Sequence, residues 1–213
     1  MALSLSYQLQ MEQAVAEDDA DLISHFIEIG YDIYAKLQDG TSLLHHAALH
    51  NSCEAAECLL AAMQHEASEG FDILKELNRP AESYGDYTPM HFACAANHCE
   101  FVDLLVQFNA TVDVMDSIGR SPLQLAICHN ALQTVDILLA AGADPNWMDE
   151  RGLTPLLDAS KANIAGVVRP LFEAGADLDA KSAEQSTALH FCAWQGHSNI
   201  AKVFIEGSSC FDN

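Results

Sequence analysis

Basic residues are scarce in this sequence. Its 213 residues include only 9 lysines and arginines against 31 aspartates and glutamates, which gives a formal net charge of −22 at pH 7. Proteins that bind nucleic acid need clusters of cations along the phosphate backbone, so this composition argues against nucleic-acid binding. The same charge would repel anionic lipids and attract a partner with a basic segment. The alternative is that the acids serve solubility alone.

Long apolar runs and paired cysteine motifs are also missing. No stretch approaches the roughly 20 apolar residues of a membrane-spanning helix. The N-terminal stretch MALSLSYQLQMEQAVAEDD lacks the positive leader and apolar centre of a secretory signal. The seven cysteines form no Cys-x-x-Cys pair, which is typical of free thiols in a reducing compartment. The sequence therefore predicts a globular cytoplasmic protein that does not associate with membranes.

Motifs of familiar catalytic sites are absent as well. The sequence has neither a glycine-rich loop that ends in Lys-Ser or Lys-Thr nor a Gly-x-Ser-x-Gly stretch. We interpret the acidic pairs at 18–19 and 149–150 as caps and solvated surface rather than as a catalytic dyad. His46 and His50 are spaced as two metal ligands on one helix would be, but no third ligand is placed near them. The prediction is no catalytic residue, metal or cofactor, with a metal-dependent enzyme that uses these histidines as the less favoured alternative.

A pattern that recurs along the chain organises what is present. Three stretches align with one another, and a fourth begins a further copy: DYTPMHFACAANHCEFVDLLVQF (86–108), GRSPLQLAICHNALQTVDILLAAGADPN (119–146), GLTPLLDASKANIAGVVRPLFEAGADLD (152–179) and TALHFCAWQGHSNIAKVF (187–204). Six copies of this length and one insertion account for almost the whole chain. No room remains for a separate catalytic domain.

The register of the copies can be followed at one position. The position of His91 recurs at Gln124, Leu157 and His190, in three equal steps. An earlier copy places His45 at the same position, but the step from His45 to His91 is longer than the others, so 13 additional residues are predicted between these two copies. The chain is therefore periodic with one interruption.

Each copy contains two short apolar segments with helical spacing, followed by a turn. In the copy at 119–146, Pro122 falls where the first turn of a helix tolerates proline. Gly142 falls where a left-handed residue ends the second helix. A unit of this size is too short to bury its own apolar faces, so neighbouring units are predicted to stack.

The recurring Thr-Pro-Leu-His start, Leu-Leu pair and Gly-Ala-Asp end resemble the ankyrin repeat. The resemblance implies an all-α fold, an ankyrin-repeat solenoid of stacked helix-turn-helix units with extended turns. It covers the chain as a single domain, 1–213, of six repeats, the first of them degenerate. The predicted repeats span about residues 4–36, 37–69, 83–115, 116–148, 149–181 and 182–213, with the insertion within 61–83.

The resemblance also implies structural roles for the histidines. His91 and His190 occupy the histidine position of the Thr-Pro-Leu-His motif, and His45 occupies that of the variant Ser-Leu-Leu-His. In the family this imidazole hydrogen-bonds backbone between turns and neighbouring repeats. His98 and His197 share a second recurring position, at the start of the second helix. A catalytic group is needed once, whereas a stacking group is needed in every repeat, so we predict that these histidines are architectural.

Members of the ankyrin family usually bind partners through the turn tips and the outer face of the first helix. Eight candidate partner-binding residues fall at these positions or in the turns beside them: Tyr84, Tyr87, Ile118, Arg120, Trp147, Met148, Leu153 and Trp194. Aromatic residues and arginine are frequent interface anchors, and an exposed apolar stripe is costly unless a partner covers it. The alternative is that several of these side chains pack against the neighbouring turn.

Two stretches depart from the repeat. Four apolar residues of the insertion fit one helical face and predict an additional helical turn or two: Phe71, Ile73, Leu74 and Leu77. The role of the insertion is left open between docking on the second repeat and binding a partner. Pro170 falls inside the second helix of the fifth repeat, so we predict a kinked or late-starting helix between Ile164 and Ala174.

The predicted function is that of a non-catalytic protein–protein interaction module, which includes an adaptor, a scaffold or a competitive inhibitor. A preformed surface would bind one partner protein, with the acids of residues 1–35 attracting a basic segment. The protein would act as a monomer in the cytoplasm. The alternative is a targeting domain of a larger protein, such as a bacterial effector delivered to the host cytosol, because the sixth copy ends at SSCFDN without an obvious capping helix.

Overall fold

The protein is all-α in the residues that the structure describes. The computed structural model describes residues 2–67 and 72–208, with side chains for 7–65 and 72–204. Its helices are α1 (Ala2–Ala16), α2 (Ala20–Glu28), α3 (Leu43–His50), α4 (Cys53–Ala67), α5 (Ile73–Leu77), α6 (Pro89–Ala96), α7 (Cys99–Gln107), α8 (Pro122–Cys128), α9 (Leu132–Ala140), α10 (Pro155–Ala162), α11 (Val168–Glu173), α12 (Ala188–Gln195) and α13 (Ser198–Ser208). Single turns of 3-10 helix lie at Glu82–Tyr84 and Ala165–Val167. None of these helices has the length and apolar character needed to cross a membrane.

Residues 1–111 form a compact unit, called unit 1. Its first helices, α1, α3 and α6, pack against one another in sequence, and α2, α4 and α7 form a second row beside them. The core consists of fully buried apolar side chains from each helix pair: Met11, Ile23, Leu43, Leu44, Leu59, Leu60, Met90, Phe101 and Leu105. Because one helix pair alone cannot enclose these side chains, the stacking of pairs supplies the hydrophobic stabilisation.

Residues 112–213 form a second compact unit, called unit 2. Here α8, α10 and α12 make one row, and α9, α11 and α13 make the other. The buried apolar side chains again come from successive helix pairs: Leu123, Leu125, Ile127, Val135, Leu138, Leu156, Leu157, Leu171 and Ile200. Unit 2 is therefore built on the same principle as unit 1.

Capping boxes fix the start of the first helix in most helix pairs. In four of them an N-cap Ser or Thr and the residue three positions later satisfy each other's backbone N–H groups: Ser42 with His45, Thr88 with His91, Ser121 with Gln124 and Thr187 with His190. Pro89, Pro122 and Pro155 each occupy the first turn of their helix, where the missing N–H has no partner to lose. The predicted place of Pro122 is confirmed.

Three of the predicted histidines, His45, His98 and His197, link neighbouring helix pairs. His190 is exposed instead, and its ring hydrogen-bonds Thr187 of its own capping box. His45 accepts the N–H of its N-cap residue at Nδ1 and donates from Nε2 to the carbonyl oxygen of Tyr87 at 3.1 Å. Burial lowers the pKa of His45 to about 4, so its ring is neutral at physiological pH. His98 donates from Nδ1 to the carbonyl oxygen of Ala48 at 2.8 Å, and His197 makes the same kind of contact in unit 2. These rings are structural.

The insertion is helical in its described residues, which confirms the predicted additional turns. It lengthens α4 to Ala67 and adds the short helix α5. Leu77 is fully buried whereas Leu74 is exposed, so the predicted apolar face is covered only in part. Phe71, the fourth residue of that face, lies outside the described residues.

The residues after α5 dock the insertion onto unit 1. The side chain of Asn78 donates to the Thr111 hydroxyl and accepts the Thr111 N–H, both at 3.0 Å. The guanidinium of Arg79 donates to the carbonyl oxygen of Tyr34 at 3.0 Å and to Glu76 at 2.8 Å. These hydrogen bonds join the insertion to the predicted first and third repeats, while α5 packs against α4 of the second repeat, on which docking was predicted as one alternative.

The helix that contains Pro170 starts late, as predicted. α11 begins at Val168 after the 3-10 turn at Ala165–Val167, whereas the corresponding helix of the previous pair begins at Leu132. Pro170 is the third residue of α11 and lies in its first turn. There its missing N–H deprives the helix of no hydrogen bond.

Among the glycines of unit 2 whose surroundings the structure describes, Gly152 is expected to be the least tolerant of a side chain. Its φ is +72°, and a Cβ there would lie 2.8 Å from the backbone nitrogen of Ala183. Gly152→Ala is expected to cost about 2 kcal/mol, from left-handed strain plus overpacking. Gly175 is the matched control, with a φ of +91° and open space around its Cβ position, so Gly175→Ala should cost about 1 kcal/mol. Urea unfolding followed by tryptophan fluorescence measures both, and equal costs would contradict the steric argument.

Candidate partner-binding site

The structure exposes only some of the eight predicted partner-binding residues. Four are exposed, with exposed fractions from 38% to 80%: Ile118, Tyr84, Met148 and Trp194. Three are half-buried: Tyr87, Arg120 and Trp147. The eighth, Leu153, is only 5% exposed, so the prediction that it presents an exposed side chain is wrong. The two tyrosines lie in unit 1 and the other six residues lie in unit 2.

Contacts within unit 2 account for the burial of Trp147, Arg120 and Leu153. The indole N–H of Trp147 donates to the carbonyl oxygen of Gly119 at 2.8 Å. The guanidinium of Arg120 donates to the buried carboxylate of Asp116 at 2.8 Å. Leu153 turns its side chain inward, where it lines a pocket of unit 2. These residues pack the turns, which is the alternative that the sequence left open for them.

The acidic pairs also differ from their predicted surroundings. Asp149 is buried and accepts the Leu153 N–H at 2.8 Å, so its assignment to solvated surface is wrong, while Glu150 is exposed. Asp19 caps the start of α2, as predicted. Asp18 accepts a backbone N–H near the start of α4 at 2.7 Å. These acids hold turns and helix ends.

Tyr84 and Tyr87 border a pocket in unit 1 of about 450 Å³. We call it the tyrosine pocket, and its lining comes from α3, α6 and the turn before α6: Leu49, Tyr84, Tyr87, Phe92, Ala95 and Ala96. The turn brings the two tyrosines over α6 because Ala81 and Tyr87 pair their backbones across it. The residues at the Ala95 and Ala96 positions in the next copy are Cys128 and His129, so the two side chains are smaller here than in that copy.

Aromatic contacts hold the tyrosine pocket in shape. The ring of Phe92 forms its floor and meets Tyr84, Tyr87 and His45 edge to face, with centroid distances of 5.3, 5.6 and 5.5 Å. Tyr87 also stacks on His91 at 5.4 Å. Edge-to-face contacts of this kind stabilise a fixed geometry. Tyr84 and Leu49 are each 46% exposed and remain available to a ligand.

A carboxylate stands at the rim of the tyrosine pocket. The Tyr84 hydroxyl donates to Asp39 Oδ2 at 3.3 Å, and Thr41 donates to Asp39 Oδ1 from its backbone and its hydroxyl. Burial opposes the ionisation of Asp39, but the Thr41 hydrogen bonds, His46 and the Tyr84 hydroxyl outweigh it and hold the pKa of Asp39 below its ordinary value. The charge of Asp39 in turn raises the pKa of Tyr84. The rim therefore carries a fixed negative charge at neutral pH.

The two histidines considered as metal ligands lie near this rim. The rings of His46 and His50 are 6.2 Å apart between centroids, and His46 Nε2 lies 3.7 Å from Asp39 Oδ2. Among the described side chains, no group of three or more His, Cys, Asp and Glu residues is placed to hold a metal ion. His46 instead lies next to the Asp39 carboxylate.

Unit 2 contains a smaller and more polar pocket of about 160 Å³. Its lining mixes charged, small and apolar side chains: Arg151, Leu153, Lys161, Ser182, Ala183, Glu184 and Phe191. Arg151 is held by the buried carboxylate of Asp149 at 2.6 Å and lies 3.4 Å from Asp158. Because its arginine is already engaged by two acids, this pocket offers less to a ligand than the tyrosine pocket does.

Asp158 is not among the residues predicted from the sequence to have a role. It is buried in unit 2, where Gln124 Nε2 donates to its Oδ2 at 3.1 Å. Burial raises the pKa of Asp158 from 3.8 to about 6, with Asp149 adding to the shift and Arg151 opposing it. Its register equivalents in the copies on either side are Leu125 and Phe191, both buried. Its apolar register equivalents could therefore have predicted that Asp158 is buried.

The comparison with known families agrees with this architecture. The family model described as ankyrin repeats (3 copies) matches residues 11–116, 61–149 and 135–212. These matches cover nearly the whole chain, so the protein belongs to the ankyrin repeat family. The predicted family and its all-α fold are confirmed. Ankyrin repeats are generally protein–protein interaction modules, and the family is typically non-enzymatic.

Three apolar residues of these surfaces are not among the eight predicted candidates. Phe92 and Leu49 belong to the tyrosine pocket, yet neither was among the eight candidates. Met115 is 61% exposed in unit 2. It lies one repeat before the exposed Met148, at the same register position, so register alone could have pointed to it.

Proposed function

We propose that this protein is a non-catalytic interaction module that binds a partner protein through the tyrosine pocket. The exposure of Tyr84 and Leu49 on either side of a preformed apolar cavity is the observation that carries the proposal. Exposing large apolar side chains such as these to water costs free energy. An aromatic wall around a pocket is typical of an interface hot spot. An adaptor, a scaffold and a competitive inhibitor would all use such a surface.

The remaining parts of the proposal concern the setting of this binding. We propose a monomer of six repeats, with the boundaries predicted from the sequence, that acts in the cytoplasm on a partner with a basic segment. The six described cysteines are free thiols, which supports a reducing compartment. A targeting domain of a larger protein, such as a delivered effector, would use the same pocket.

The test is capture of the partner with paired variants. A Leu49→Ser and Tyr84→Ala double variant is expected to retain less than about a tenth of the partner captured by the wild type from extracts of the native cell, because both walls of the pocket lose their apolar surface. Both residues are half exposed, so the fold should persist, and helical circular dichroism checks this.

The matched control removes exposed apolar surface from unit 2. Met148→Ala and Trp194→Ala together delete a comparable amount of exposed side chain outside the tyrosine pocket. This variant should capture the partner as the wild type does. Capture that survives the pocket variant but is lost with the control would place the binding surface in unit 2.

A further inference from the structure

We propose that the tyrosine pocket takes one bulky apolar side chain from a basic segment of the partner, with a Lys or Arg beside that side chain on Asp39. This inference rests on the proposed function and specifies the chemistry of its ligand. It joins three features of unit 1: the shape of the pocket, the acceptor at its rim and the charge around it.

The shape of the pocket selects a single apolar anchor. The Phe92 ring closes the floor, and the methyl side chains of Ala95 and Ala96 leave the centre open between Leu49 and Tyr84. The described residues that line the cavity include no charged group. A buried polar anchor would lose its water without gaining a partner there, so an aromatic or aliphatic side chain fits best.

The Asp39 carboxylate at the rim can accept further hydrogen bonds. Asp39 Oδ1 accepts both bonds from Thr41, whereas Oδ2 accepts one long bond from Tyr84. A carboxylate can accept about four hydrogen bonds. Among the ion pairs of the described residues, Asp39 meets no lysine or arginine and has only His46 nearby. A cation from the partner would therefore meet an ionised acceptor beside the anchor.

The charge of unit 1 favours the same ligand. Residues 1–111 contain 18 acids and 3 bases, a formal charge of −15 out of the −22 of the chain. Each of those bases is already close to an acid of its own: Lys36 to Glu82, Lys75 to Asp72 and Arg79 to Glu76. A basic segment would be attracted over a long range, and an acidic one would be repelled.

The experiment uses three labelled nonapeptides and fluorescence anisotropy with the full chain. All share a Gly-Ser background and differ at the centre: Arg-Phe-Arg, Glu-Phe-Glu and Arg-Ala-Arg. The Arg-Phe-Arg probe is expected to bind at least about tenfold more tightly than either of the others, since only it supplies both the anchor and the cations. Equal binding of Glu-Phe-Glu, or no binding of any probe, would overturn the inference.

A pair of charge variants then locates the cation. Asp39→Asn should weaken Arg-Phe-Arg binding about fivefold and flatten its salt dependence, while the amide oxygen can still accept the Thr41 N–H. Glu28→Gln removes one exposed acid of unit 1 outside the pocket and is the matched control, with an expected change of less than about twofold. Equal effects of the two variants, or Arg-Ala-Arg binding as tight as Arg-Phe-Arg, would reduce the interaction to general charge attraction and refute the site.

The outcomes separate this inference from the proposed function. If the Leu49 and Tyr84 double variant loses the native partner while Arg-Phe-Arg fails to bind, the pocket remains the binding surface and the basic ligand is wrong. If the probe binds at the pocket but the double variant captures as much partner as the wild type does, the proposed location of partner binding is wrong instead.

Discussion

Gln124→Leu is expected to lower the free energy of unfolding by about 3 kcal/mol. Gln124 is fully buried, and its side-chain NH₂ donates to the Leu153 carbonyl oxygen at 2.8 Å and to Asp158 at 3.1 Å. Its carbonyl oxygen accepts the Ser121 N–H. Leucine has about the same size but makes none of these bonds, and each buried group left without a partner costs about 1 kcal/mol or more. Trp147 and Trp194, the two tryptophans of the chain, both lie in unit 2 and report the loss during urea unfolding.

Gln124→His is the control that tests the reason for this loss. Histidine stands at the register position of Gln124 in other copies, where His45 accepts the N–H of its N-cap residue and donates to a carbonyl oxygen of the next turn. A histidine at position 124 can make the same two bonds and gives up only the donor to Asp158, so its cost should be about 1 kcal/mol. Equal costs for the leucine and histidine variants would mean that packing rather than hydrogen bonding sets the stability at this position.

Repetition explains why most of the fold could be predicted from the sequence. The capping residue, the proline after it and the histidine at the third position of the helix recur in several copies, so each local signal is supported by its equivalents in the neighbouring repeats. The repeat register placed Gln124 at the position of His91, although glutamine usually lies on the surface of a protein. The late start of α11 followed from one residue, because Pro170 can lie only in a first turn without breaking a hydrogen bond.

The candidate site was predictable only in part, because register does not fix the direction of a side chain. Tyr84 and Tyr87 were placed at a turn tip, but the pocket that they border depends on the Phe92 ring and on the small side chains of Ala95 and Ala96. Leu153 occupies the register position of Tyr87 and Arg120, whose side chains are only half-buried and carry a polar end. With no polar end to keep in water, Leu153 folds into the nearest apolar space instead.

Asp158→Asn is expected to remove the pH dependence that Asp158 contributes to stability. The pKa of Asp158 is raised from 3.8 to about 6 in the folded protein, mainly by burial. A raised carboxyl pKa means that the folded state binds the proton more tightly than the unfolded chain does. This group therefore favours folding at low pH and loses that contribution as pH rises from about 4 to about 6, by about 3 kcal/mol in total.

The measurement is the difference in unfolding free energy between the two proteins at several pH values. Near about pH 4 the protonated Asp158 resembles asparagine and the difference should be small, whereas near about pH 8 the variant should be the more stable by up to about 3 kcal/mol. Taking the difference cancels the titration of all groups common to both proteins. Carbon-detected NMR of the Asp158 carboxyl gives its pKa directly.

The opposite sign at neutral pH would show that attraction to Arg151 outweighs burial. The charged groups around Asp158 act in both directions, because Arg151 and Lys161 lower its pKa and Asp149 raises it. Gln124 also lowers that pKa through its hydrogen bond, so Gln124→Leu should raise it further and steepen the pH dependence.

The effects of Gln124→Leu and Asp158→Asn should therefore not add in the double variant. With asparagine at position 158, losing the Gln124 donor leaves a neutral amide without a partner rather than a charged carboxylate. The cost of Gln124→Leu at neutral pH should then fall by about 1 kcal/mol. Strict additivity would mean that the glutamine and the aspartate stabilise unit 2 independently.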